Sequence, residues 1–134
     1  MASTPDGVEA LLVDSISEIT SADCGQIVIA GSHASTNAPR YALSVKLRGA
    51  AFNDAGIGKE NAGIASFPTL AEGGLAAVAV SHDTARIGDA RDVFANGVVS
   101  RVNEAAEKIG VKPGITIAEY VALVNKAVPA PTEP

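Results

Sequence analysis

The chain has 134 residues, of which 47% are hydrophobic and 19% charged, with a formal net charge of −5. That balance belongs to a folded domain large enough for its own core, and it argues against a disordered chain. An acidic chain also lacks the basic face that a nucleic-acid binder needs, and no apolar run approaches the roughly 20 residues that span a bilayer.

Cys24 is the single cysteine, so no internal disulfide can form, which fits a reducing compartment. The opening Met1–Gly7 has neither the basic nor the apolar region of a signal peptide, and the expected location is cytoplasmic. Aromatics are scarce, and the apolar content is mostly Ala, Val and Ile. Small and β-branched residues suit buried parallel strands packed closely by helices.

Residues 1–7 are small and polar and read as a disordered N-terminus. Residues 8–128 read as a single α/β domain, and 129–134 as a proline-rich tail. Val8–Ile19 supports two readings. Val8, Leu11, Leu12, Ile16 and Ile19 match a helical stripe with Asp6 and Glu9 as a capping box, but Leu11–Ile19 also suits an edge strand.

Gln26–Ala30 is a strand. Thr36 or Asn37 then caps a helix with Pro39 in its first turn, where a missing N–H does no harm. Arg48-Gly49 ends it, and Ala50–Phe52 begins a second strand. Ser66-Phe67-Pro68 opens a short helix to Glu72, stopped by Gly73-Gly74. Leu75–Val80 is a third strand. Thr84–Asn96 is polar, with Arg91 and Asp92 read as solvated surface. Val98, Val102, Ala105, Ala106 and Ile109 mark an amphipathic helix with a Glu104 and Lys108 pair. Thr116 and Glu119 form a capping box for a last helix through Val128. Alternating strands and helices predict a compact three-layer α/β domain. Its sheet is short and mostly parallel, with helices on both faces and room for an antiparallel edge strand.

Parallel strands end on one edge of the sheet, where ligands of open α/β folds bind. Three apolar runs stop there in polar residues: Ser32-His33, Asn53-Asp54 and Ser81-His82. Both histidines of the chain follow a serine in this setting. Each can act as acid or base near neutral pH, and Asp54 can orient one of them. Gly56 and Gly58 can present backbone N–H groups, and Lys59 an ammonium, to an anion. Asn53 in place of a glycine and Glu60 in place of Ser or Thr exclude a Walker A loop. Arg86 can clamp a carboxylate, or pair with Asp89 to brace its loop. Ser32 and Ser81 are read as binding ligand oxygens or capping their turns.

No cofactor is expected. Zinc or iron on His33, Asp54 and His82 is the lesser reading, since no His-x-x-x-His or Cys-x-x-Cys spacing supports it. The leading expectation is a small-metabolite enzyme using His33, Asp54 and His82 for acid–base chemistry on a carboxylate-bearing substrate. Small-amide hydrolysis, isomerisation and lyase elimination all stay open. The rivals are a non-catalytic binding or regulatory subunit of an enzyme complex, with a partner enzyme, and a structural assembly module. Short strands also point to a homo-oligomer.

Overall fold

The structure, a computed structural model, describes residues 2–4 and 7–128. Asp6, the helix cap considered above, and the 129–134 tail lie outside them. Among the described residues six strands form one sheet in chain order: β1 (Ala2–Ser3), β2 (Glu9–Val13), β3 (Ile27–Ala30), β4 (Gly49–Asn53), β5 (Ala77–Val80) and β6 (Val99–Val102). The strands β2 to β5 are parallel, and the outer pairs β1–β2 and β5–β6 are antiparallel. Five helices accompany them: α1 (Ala38–Ala42), α2 (Phe67–Glu72), α3 (Ala90–Asn96), α4 (Glu104–Lys108) and α5 (Ile117–Ala127). The mixed α/β architecture is the expected one. No helix among the described residues is long and apolar enough to cross a membrane.

The layers follow from strand order. Parallel crossovers are right-handed, so stepping from β2 to β5 in one direction puts every connection on one face. Ala38, Ala42, Phe67 and Leu70 accordingly bury against Val28, Ala50, Phe52 and Ala77. The opposite face stays bare until the chain has passed β5. Val93 of α3 and Ile117, Tyr120, Val121 and Val124 of α5 then cover Ile27, Ile29, Val78 and Val80.

The ambiguous start resolves as the strand β2, with Leu11, Leu12 and Val13 in register with Val28, Ile29 and Ala30. After it, reciprocal boxes from Ser15 with Glu18 and from Thr20 with Asp23 open two short 3-10 turns. Tight turns suffice here because the crossover is short. The helix expected over Val98–Ile109 is a correction. Val99–Val102 is a strand paired with β5, and only Glu104–Lys108 is helical, capped by Asn103. The helical spacing of Val98 and Val102 gave way to pairing with an otherwise open sheet edge. The Glu104 and Lys108 pair is present at 3.7 Å. Polar Thr84–Asn96 contains α3, whose N-cap is Asp89.

The Thr116 and Glu119 box starts α5 as expected, and that helix carries Tyr120 into the core. The Tyr120 hydroxyl lies 2.8 Å from the Ala76 carbonyl and 3.2 Å from that of Ala50, tying α5 to the starts of β4 and β5. Burial pushes its phenol well above the ordinary value. Tyr120→Phe keeps the ring and loses this donor, so a destabilisation of about 1 kcal/mol is expected in urea unfolding. An unchanged midpoint would mean that the hydroxyl is energetically idle.

Candidate functional site

A crevice opens in an α/β sheet where neighbouring connections leave for opposite faces. Here that point lies between β4 and β5. After Asn53 the chain turns toward the α2 face, and after Val80 it crosses to the α3 face. Asp54 and His82 stand at these two strand ends.

Asp54 is 4% exposed and fully engaged. Its Oδ1 accepts the Gly56 amide at 2.8 Å and the His82 amide at 3.0 Å, while its Oδ2 accepts the Ser100 hydroxyl at 2.6 Å. Burial alone would push the carboxyl up. The hydrogen bonds from Ser100, Gly56 and His82, with the nearby His82 ring, outweigh it and hold the carboxyl below its ordinary value of 3.8. Asp54 is therefore an ionised, fixed carboxylate.

His82 is half exposed, with Nδ1 3.4 Å from Asp54 Oδ1 and Nε2 3.3 Å from Asp83 Oδ1. Its backbone amide is fixed by Asp54, and its ring lies within ion-pair distance of both carboxylates. A side chain on Gly56 would touch the ring at 3.4–3.6 Å. The glycine leaves the imidazole open on that side.

The loop after Asp54 is strained. Ala55, Gly56, Ile57 and Gly58 are four successive residues with positive φ, and Glu60 and Asn61 share that conformation. For branched Ile57 this costs roughly 1–3 kcal/mol. It is held by Ile57 N–H donating to the Asp54 carbonyl at 2.7 Å and Gly63 N–H donating to the Ile57 carbonyl at 2.8 Å.

The remaining residues singled out from the sequence divide into groups. Several are spent on architecture. Ser32 Oγ accepts the Ile16 amide at 3.0 Å, and Ser81 Oγ accepts the Asp83 amide at 3.2 Å. Buried Asn53 donates to the Ala85 carbonyl at 2.8 Å and accepts the Ala55 amide at 2.8 Å. Asp89 caps α3 through the Asp92 amide rather than pairing with Arg86. Asp92 accepts the Arg86 amide and the Asn96 side chain, both at 2.7 Å, and these hold its carboxyl below the ordinary value. It braces a loop.

That loop, 84–90, runs back over the ends of β4, β3 and β2. Gly88 N–H donates to Gly31, and Ala90 N–H to Asp14. A side chain on Gly31 would meet Asp89 N at 2.5 Å, so the crossing requires glycine there. The β2 and β3 ends are thereby crossed by this loop.

His33 is half-buried, and its ring enters no hydrogen bond or ion pair among the described residues. The backbone beside it is tied to Gly63, whose carbonyl accepts the Ala34 amide and where a Cβ would meet the Asp54 carbonyl. Lys59 and Arg86 are exposed, and neither forms an ion pair among the described residues. No cluster of three or more His, Cys, Asp or Glu among the described residues could hold a metal, so His33, Asp54 and His82 do not assemble a centre. Cys24 sits at the start of β3, at the other end of the strands.

Sequence reasoning did not find Ser100. It lies 46 residues from Asp54 in what read as a helix, and no local pattern marks it. Asp83, beside His82 in the chain, was not singled out either. Comparison with protein families, with curated proteins and with solved structures finds no match for this chain.

Proposed function

We propose that the protein is a small-metabolite enzyme in which His82, oriented by Asp54, moves a proton on a polar substrate at the β4–β5 crevice. The observation that supports this reading is the buried carboxylate held ionised by three donors beside a half-exposed imidazole. A fixed carboxylate sets the tautomer and angle of a general acid–base, and it favours the charged ring during proton transfer. The hydroxyl of Ser100 contacts the carboxylate rather than the imidazole. It therefore positions Asp54 and is not a nucleophile activated by His82. Strained backbone next to the dyad has the character of a functional site. Exposed Lys59 and Arg86 are the candidates to hold the carboxylate of a substrate, and the chemistry fits amide hydrolysis, isomerisation or elimination.

A panel of small carboxylate-bearing amides, hydroxy acids and keto acids tests the assignment. His82→Ala should lower turnover roughly 100-fold, whereas His33→Ala should stay within a few-fold of the parent. Full activity in His82→Ala would remove the histidine from the chemistry. A second reading, a non-catalytic binding subunit, draws support from the separation of the two histidines. It predicts panel compounds that shift the His82 and Gly56 amide resonances without being turned over.

A further inference from the structure

A large cavity in the described structure lies away from the dyad. It is an open groove of about 970 Å³ between α2 and α4. Ile64, Phe67, Ala71, Val102, Ala105 and Ile109 give it an apolar floor. Carboxylates stand on its rim: Glu60 from the strained loop, Glu72 at the end of α2, and Glu104 on α4. The single cation there, Lys108, is already engaged with Glu104 at 3.7 Å.

The buried part of the floor offers no free polar side chain to a small molecule, and exposed Asn61 stands at its edge. Its one buried polar side chain, Asn103, accepts the Ala77 and Ala106 amides and donates to the Leu75 and Phe67 carbonyls. All of its capacity is used internally. The groove therefore offers mainly apolar contact along its length and charge at its edges. That combination selects a segment with an apolar face and cationic flanks, which is the helix-in-groove mode. A second copy of this chain is a poor occupant, because each copy carries a net charge of −5 and the rim is itself acidic.

We infer that the α2–α4 groove docks a basic amphipathic helix of a partner protein. Glu60 and Glu72 meet its Lys or Arg side chains, and Phe67, Val102 and Ile109 meet its apolar stripe. The site is separate from the dyad and does not depend on the enzymatic reading. The two are joined by chain, since the loop that carries Glu60 begins at Asp54.

The probes are a dye-labelled helical peptide of leucine and lysine and its leucine and glutamate counterpart, titrated into the full chain by fluorescence anisotropy. The basic peptide should bind at least roughly tenfold more tightly, with an affinity that falls as salt is raised. Glu60→Lys with Glu72→Lys should weaken it roughly tenfold. Ala71→Trp, which fills the groove without changing net charge, should weaken it by a similar factor. Amide shifts on the parent chain should centre on α2, α4 and β6. No binding, equal affinity for both peptides, full affinity in Ala71→Trp, or shifts centred elsewhere would each overturn the proposal.

Discussion

Asp54→Ala should destabilise the protein by about 4 kcal/mol, because three donors aimed at a buried carboxylate lose their acceptor together. The Gly56 and His82 amides fix the loops after β4 and β5, and Ser100 fixes β6 to both. Removing the acceptor therefore loosens three segments at one point. Asp54→Asn is the informative control. Its carbonyl can keep both amides, and Ser100 can turn its hydroxyl to accept from the new NH₂ group. The expected loss is then only about 1–2 kcal/mol. Urea unfolding of both variants checks the difference, and equal midpoints would mean that the carboxylate is not the tie described.

The same group gives a pH signature. Its folded pKa lies below the unfolded value, so its contribution is fully present above about pH 4. It is lost as pH falls through the folded pKa. The parent should therefore lose stability on acidification more steeply than Asp54→Asn, with the two curves converging below that range. If the gap between them stayed constant from pH 7 to pH 3, Asp54 would not be ionised as described.

Gly63→Ala should also be strongly damaging, at about 3 kcal/mol or more, for a steric reason. A Cβ at Gly63 would stand well inside contact distance of the Asp54 carbonyl oxygen and 3.1 Å from Ile57 Cα. The obstacle is backbone, which cannot rotate away. Either the loop or the Asp54 peptide must shift, and the second outcome also moves the carboxylate away from His82. Gly58→Ala separates this effect from ordinary glycine conformation. Gly58 has φ +72° and ψ −168°, a conformation essentially confined to glycine, but open space where its Cβ would go, so it carries only a backbone cost of about 1–3 kcal/mol and no clash. Thermal melts of the two variants should differ clearly, with Gly63→Ala the lower, and a reversed order would show that the loop does not press on Asp54.

The sequence was most informative where structure is local. The Thr116 and Glu119 box is a four-residue device, and it starts α5 at the expected residue. Pro39 and Pro68 lie in the first turns of α1 and α2, where a missing N–H is harmless. The apolar runs before Ser32, Asn53 and Ser81 are strands that end on one side of the sheet, because a parallel arrangement follows from alternating elements.

The failures share a cause. Val98, Val102, Ala105, Ala106 and Ile109 fit a helical period, and only the free edge of β5 makes a strand of Val99–Val102. That partner lies about 20 residues away and leaves no mark on the local pattern. A stretch of four residues reads either way until something pairs with it.

The two histidines, alike in sequence, differ in their contacts. The ring of His33 enters no ion pair with Asp54 among the described residues, whereas His82 lies 3.4 Å from it and Gly56 leaves that ring open. Likewise Ser32, Asn53 and Ser81 are polar at the right edge, but their side chains are used on the Ile16 amide, the Ala85 carbonyl and the Asp83 amide. Residue types and local turns thus set which groups could act and on which edge they stand. Tertiary packing decided which of them remain free, because a hydrogen bond made to a distant segment is invisible to the residues on either side of it.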